Sequence, residues 1–127
     1  MRGKTRKYVI HEHRHQDHQT HWDLMLETSN SLTTFRLPQP PAELPCRFVV
    51  EKIQDHQRRF LTYQGPVNQG KGSVKFADRG TYETVEKTTA AWTLKLTGRV
   101  LNCEVRLEQT AGQLICTLKR TLSEGQC

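Results

Sequence analysis

Short runs of alternating apolar and polar residues, each closed by turn-forming residues, leave this chain little choice but β-structure. In HWDLMLET (21–28) Trp22, Leu24 and Leu26 alternate with His21, Asp23, Met25 and Glu27. Further runs of the same kind are RFVVEKI (47–53), GSVKF (72–76), WTLKLTG (92–98), VLNCEVRLE (100–108) and QLICTLKR (113–120). Ser29-Asn30, Pro38 to Pro45, Gly65-Pro66, Gly70 to Gly72, Gly80, Gly98 and Ala111-Gly112 separate them. Short strands at this spacing predict an all-β, mainly antiparallel fold, a small closed or nearly closed β-barrel. ETVEKTTAA (83–91) reads as a brief helix, weakened by its threonines, which leaves room for one or two short flanking helices.

A chain of 127 residues suits a single domain, taken here as 1–127, and can bury one modest core without staples. No stretch is long and apolar enough to span a membrane. The basic start MRGKTRKYVI has neither an apolar h-region nor a small-residue cleavage site. The expectation is a soluble, cytoplasmic monomer. Cys46, Cys103, Cys116 and Cys127 form no CxxC pair and no dense framework. Cys103 and Cys116 fall in apolar runs, where a free thiol packs as a small hydrophobe. The net charge of +6 fits a polyanion binder and an ordinary soluble domain equally well.

The stretch HEHRHQDHQTHWD (11–23) holds His11, His13, His15, His18 and His21, five of the chain's six histidines. A helix here would have almost no apolar stripe to hold it by packing. The better reading is a strand to about residue 12, a polar loop, and a strand from His21. Period-two alternation then puts His21 and Asp23 on one face, with Trp22 buried opposite. Their Cα atoms would be roughly 7 Å apart, so both side chains can converge on one ion. His15 from the loop would complete an N,N,O set that suits Mn, Fe or Zn with positions open for water and substrate. The alternative is a solvated polar loop, with His11 and His13 simply alternating along a strand.

HQDHQTHWDLMLE resembles the H-x5-H-x-D-x-R-L-E motif of the 3'-phosphoesterase domain of bacterial DNA ligase D and its stand-alone relatives. The likeness continues through SLTTFRLPQPP, similar to the family's strand ending in V-P-K-G-P, and IQDHQRRFLTYQG, similar to V-E-D-H-P-x-x-Y-x-x-F-x-G. GSVKFADRGTYE is close to G-x-V-x-x-W-D-R-G-x-Y-E, and GRVLNCEVRLEQTAGQLICTLKRT to the closing strands ending in L-V-R-T. The resemblance spans roughly residues 7–121. It implies a β-barrel that heals DNA or RNA 3' ends with a divalent ion, Mn²⁺ first and Zn²⁺ or Co²⁺ as alternatives. The products would pass to a ligase or polymerase acting in trans. It also implies metal ligation by His15, His21 and Asp23, and places His56 beside the scissile phosphate. Without the resemblance, His56 reads as a surface histidine in a charged turn.

Four positions depart from the family pattern. Met25 stands where the family has arginine, Gln39 for lysine, Gln54 for glutamate and Phe60 for tyrosine. Cations and donors of this kind stabilise phosphoryl charge, and losing one costs on the order of 10²–10³ in rate. Arg36, Lys52, Arg58 and Arg59 are the nearby cations that could bind substrate instead. Two readings follow: a phosphoesterase with weakened activity, or a catalytically degenerate barrel that binds metal or nucleic acid as a DNA-repair accessory.

Overall fold

The computed structural model describes residues 4–120. Nine strands are formed: β1 (Arg6–His15), β2 (Thr20–Glu27), β3 (Leu32–Leu37), β4 (Arg47–His56), β5 (Gly65–Val67), β6 (Gly72–Lys87), β7 (Ala91–Gly98), β8 (Asn102–Thr110) and β9 (Gln113–Arg120). All pairings are antiparallel, in the order β1-β2-β3-β4-β9-β8-β7-β6-β5. A further β1–β6 pairing curls the sheet into a ring. β4 completes the circuit by pairing with β9 through residues 47–50 and with β3 through residues 51–56. This near closure removes most of the exposed edge that an open sheet of this size would carry, leaving the short β5 paired on one side only.

The all-β barrel expected from the alternation is therefore observed, with two corrections. Residues 83–87 of the expected helix continue β6, and 88–90 turn into β7. Glu83, Thr84, Glu86 and Lys87 pair with Lys95, Leu94, Thr93 and Trp92, so the ladder outweighs the weak helix preference. Among the described residues no α-helix flanks the barrel; only three short 3-10 turns occur, at Pro41–Glu43, Arg58–Leu61 and Asn68–Gly70. None of these is long or apolar enough to cross a membrane. The polar loop after β1 is also shorter than expected, because β1 runs on to His15.

Two apolar clusters lie on opposite sides of the sheet. The larger fills the ring, with Tyr8, Ile10, Leu24, Leu26, Leu94 and Leu96 at its centre. Trp22, expected to be buried opposite His21 and Asp23, packs half-buried against it. The smaller, Val9, Met25 and Leu32, sits on the outer face, where Phe60, Leu61 and Phe76 pack on it. The segment after β4 thus covers the outside of β1 and β2. Both strands are in consequence buried on both faces, residues 8–11 and 23–26 without interruption. Cys103 and Cys116 are free and buried, as the alternation predicts.

A β-bulge between Ile10 and His11 shifts the β1–β6 register, so that Ile10 faces Asp78 while His11 faces Phe76. The carboxylate of Asp78 is buried. Its Oδ1 accepts hydrogen bonds from the backbone N–H groups of Arg79 (2.9 Å), Arg99 (3.0 Å) and Val100 (2.9 Å). Its Oδ2 accepts from Leu101 N–H (3.0 Å) and from the Tyr8 hydroxyl (2.8 Å). Burial, with the Asp78 charge beside it, holds the Tyr8 phenol well above its ordinary value. One carboxylate so ties β1, β6 and the β7–β8 turn together.

Gly80 lies where these strands come closest. A Cβ there would stand 2.0 Å from the Thr97 backbone oxygen, which cannot swing aside. Gly80→Ala is expected to destabilise the fold by about 2–3 kcal/mol, as overpacking does in tight cores. Thermal denaturation checks this; an unchanged midpoint would mean that the β6–β7 ladder opens freely.

Candidate active site

The outer face of β1 and β2 carries the histidines because alternation sends their apolar neighbours into the ring. Register sets the side chains in rows across the sheet. Phe76 of β6, His11 of β1, Asp23 of β2 and Arg36 of β3 form one row. Val74, His13 and His21 form the next. The covering segment does not close fully on these rows. It leaves a cavity of about 320 Å³ whose walls include His11, His13, Asp23, Met25, His56 and Phe60.

Asp23 is buried at the base of this cavity, with an exposure of 1%. Its Oδ1 accepts a hydrogen bond from Arg36 Nε at 3.1 Å, and no other donor among the described residues engages the carboxylate. A buried carboxylate is costly unless paired, and Arg36 supplies the pairing while leaving Oδ2 for a further partner.

His56 enters from the end of β4. Its Nδ1 lies 3.0 Å from the Gln54 carbonyl and 3.1 Å from Thr34 Oγ1. A carbonyl can only accept, and the Thr34 hydroxyl already donates to the Leu32 carbonyl at 2.9 Å. Nδ1 must therefore carry the proton, which leaves Nε2 as the nitrogen available to accept a proton or hold a ligand.

His11 has no solvent exposure, and among the described residues neither ring nitrogen meets a partner at good hydrogen-bond geometry, the nearest influence being the Tyr63 backbone. The ring stacks on Phe76 (centroids 5.7 Å apart) and meets Phe60 edge-on. Burial pulls its pKa down to about 4, against the opposing pull of the Tyr63 backbone and the Asp23 carboxylate. Burial likewise lowers His13, whose Nε2 is also buried without a partner, and His21. His15 on His13 adds to the first and the Arg36 charge to the second. These imidazoles are held toward the neutral form, the one that ligates metal.

His15 and His21 meet beside the cavity. His15 Nε2 is 3.0 Å from His21 Nδ1, and the His15 ring stacks on His13 at 4.1 Å. His21 lines the neighbouring depression next to Arg36, while His13 lines the cavity itself. His18 stays on the exposed turn. Among the described residues no three His, Cys, Asp or Glu side chains already enclose a point that could hold an ion. The donor chemistry nevertheless fits a divalent metal: imidazole nitrogens 3.0 Å apart, an unpartnered buried Nε2 and a carboxylate with one oxygen unused.

The candidate cations are mostly engaged elsewhere. Arg36 binds Asp23, Lys52 binds Asp55 at 3.0 Å, and Arg58 binds Glu27 at 2.8 Å and the Thr28 carbonyl. Arg59 stacks over Phe60, 4.3 Å from the ring centroid, and over Tyr63. Met25 does reach the cavity wall, yet it is 1% exposed and packs with Val9 and Leu32. The outer face is therefore itself covered at this position, and Met25 serves both the cavity wall and the packing beneath it. Gln39 is exposed on the loop after β3.

Sequence reasoning gave no role to His11 and His13. Their alternation along β1 was visible, but only the register that sets His11 opposite Asp23 and His13 opposite His21 shows which face they share.

A family model described as the DNA ligase D 3'-phosphoesterase domain matches residues 11–116. The multifunctional non-homologous end joining protein LigD of Mycolicibacterium smegmatis is 32% identical over 87 residues. That alignment covers 65% of this chain and 11% of that much longer protein.

Proposed function

Since the chain belongs to the DNA ligase D 3'-phosphoesterase domain family, we propose that it is a metal-dependent phosphoesterase acting on the 3' ends of nucleic acid. The observation that carries this reading is one cavity bringing together buried Asp23 and a tautomerically oriented His56, with His11 and His13 in its walls and His15 and His21 beside it. Fold-level kinship alone would not support it, because chemistry resides in the site.

His15, His21 and Asp23 would hold the ion, with His13 as the nearest further donor. Bound there, a divalent ion would polarise a phosphoryl oxygen and lower the pKa of a bound water. Arg36 pairs with Asp23 and orients its carboxylate. Nε2 of His56 would first take up a proton from solvent, and would then hold the phosphate or pass that proton to the leaving 3' oxygen, while Nδ1 stays committed to the Gln54 carbonyl. Phe60, Phe76 and Met25 exclude bulk water from one wall, which strengthens charge interactions inside. A 3'-phosphate is the primary substrate under this reading and a 3'-terminal ribonucleoside the second. A ligase or polymerase acting in trans would use the hydroxyl produced.

The direct test is release of phosphate from a 3'-phosphorylated primer-template with and without Mn²⁺. Metal-dependent release supports the reading, and none at any metal concentration refutes it. The ion pairs that engage Arg36, Lys52 and Arg58 also favour a weakened enzyme, because few cations are left for the phosphoryl group. Gln39→Lys alone is expected to raise the rate without loss of stability. Adding Met25→Arg should raise it further, by at least about tenfold in total, while lowering the melting temperature through lost packing. Equal rates for wild type and double variant would show that another cation already serves.

A further inference from the structure

We propose that Arg79 and Arg99, with Lys7 beside them, clamp the phosphate backbone of the nucleic-acid strand whose 3' end enters the His11–Asp23–His56 cavity. This rests on the 3'-end reading above and deepens it by naming where the rest of the strand lies.

Three observations carry it. The first is a shared anchor. The backbone N–H groups of Arg79 and Arg99 donate to the same oxygen, Oδ1 of buried Asp78, at 2.9 and 3.0 Å. Residues twenty positions apart in the chain are thereby fixed side by side, and both line a groove of about 410 Å³. They also line a second groove of about 260 Å³ together with Lys7. A pair of arginines held in place loses less freedom on gripping a phosphate than two mobile ones.

The second is charge. Arg79, Arg99 and Lys7 are exposed, and among the described residues none of their side chains has a carboxylate partner. Of the cations nearer the cavity, Arg36, Lys52 and Arg58 are paired with carboxylates and Arg59 is stacked on Phe60. These grooves thus gather three exposed cations without an ion-pair partner, while the acid that lines one of them, Asp78, is buried and turned to backbone donors; the complement to such a cluster is a polyanion.

The third is continuity with the cavity. Strict alternation would put Phe76 and Arg79 on opposite faces of β6. The bulge at this point inserts one residue, so both point outward while Asp78 points in. The Arg79 guanidinium sits 4.7 Å from the Phe76 ring centroid, and the Phe76 ring stacks on His11 in the cavity wall. Leu61 and Thr62, just after Phe60 of the same wall, line the groove that holds Lys7. Three residues of strand are roughly 10 Å, so the clamp would meet phosphates on the order of two nucleotides inside the terminus.

The test is equilibrium binding of single-stranded DNA ending in a 3'-hydroxyl, two and twelve nucleotides long, followed by fluorescence anisotropy over a range of salt. For the twelve-mer, Arg79→Ala with Arg99→Ala should raise Kd at least about tenfold. It should also reduce the slope of log K against log salt by about 1.4, two phosphates at about 0.7 each. Binding of the dinucleotide should not change. Arg79→Lys with Arg99→Lys, which keeps the charge, should retain most of the slope. Arg47→Ala with Lys119→Ala, on exposed positions of β4 and β9, should leave it intact. A wild-type slope in the alanine pair, or an equal loss in the β4/β9 pair, would overturn the clamp. So would absence of twelve-mer binding by the wild type. The measurement needs no hydrolysis. A protein that binds through Arg79 and Arg99 but releases no phosphate would uphold the clamp and refute the phosphoesterase. Rapid turnover with an unchanged KM in the alanine pair would do the reverse.

Discussion

Replacing Asp78 with alanine is expected to cost about 4 kcal/mol of stability, in the range seen when one partner of a buried charged network is removed. Four backbone N–H groups and the Tyr8 hydroxyl converge on this carboxylate. Each would be left without an acceptor in a region where water has limited access. The loss is kept from growing larger by the groove beside Arg79, through which solvent reaches part of the site. For a domain of this size the melting temperature should fall by on the order of 15 °C. Asp78→Asn retains the shape and one acceptor oxygen but turns an amide N–H₂ toward two donors, so about half the loss is expected. Circular dichroism melts decide it. A small shift for alanine would mean that the β7–β8 turn holds without the carboxylate. The alanine variant should also weaken strand binding, because Arg79 and Arg99 lose their common anchor.

Asp23→Asn should leave the fold nearly intact and abolish the chemistry. The amide is the same size, and its oxygen can still accept from Arg36, whose side chain is partly solvated, so the stability change should stay near 1 kcal/mol. The negative charge that would draw a cation among the histidines is gone. Mutating a residue that only supports a ligand commonly costs 10–100-fold in metal affinity or activity, so loss of the carboxylate itself should cost at least about 100-fold. Mn²⁺ titration by calorimetry and phosphate release from a 3'-phosphorylated end measure the two effects separately. Unchanged Mn²⁺ affinity in this variant would remove Asp23 from the ligand set and with it the proposed role of the cavity.

The barrel was legible in the sequence because its strands alternate cleanly. Trp22, Leu24 and Leu26 announce their inward face, and the β8 and β9 runs theirs. The error at residues 83–91 has a local cause. Glu83 to Ala91 has no strong period, and only pairing with β7 makes most of it strand. For the candidate site, residue types were legible and partners were not. His21 and Asp23 announce a shared face, but a single strand says nothing about which residues lie opposite. His11 and His13 joined the site through β1–β2 register, a pairing between separate segments.

Asp78, Arg79 and Gly80 show the division most sharply. The sequence by itself determined that ADRG interrupts a strand pattern with a charged pair and a glycine. It also determined the period-two faces of β1 and β2 and the donor types that suit a divalent ion. Tertiary structure alone decided that a bulge sends Asp78 inward and Arg79 outward, that Gly80 lies under the Thr97 carbonyl, and that the segment after β4 covers the outer face to make a cavity. The physical reason is range. Alternation and turn chemistry are local properties, written in neighbouring residues, whereas register, burial of a second face and convergence of donors on one carboxylate depend on contacts across tens of residues.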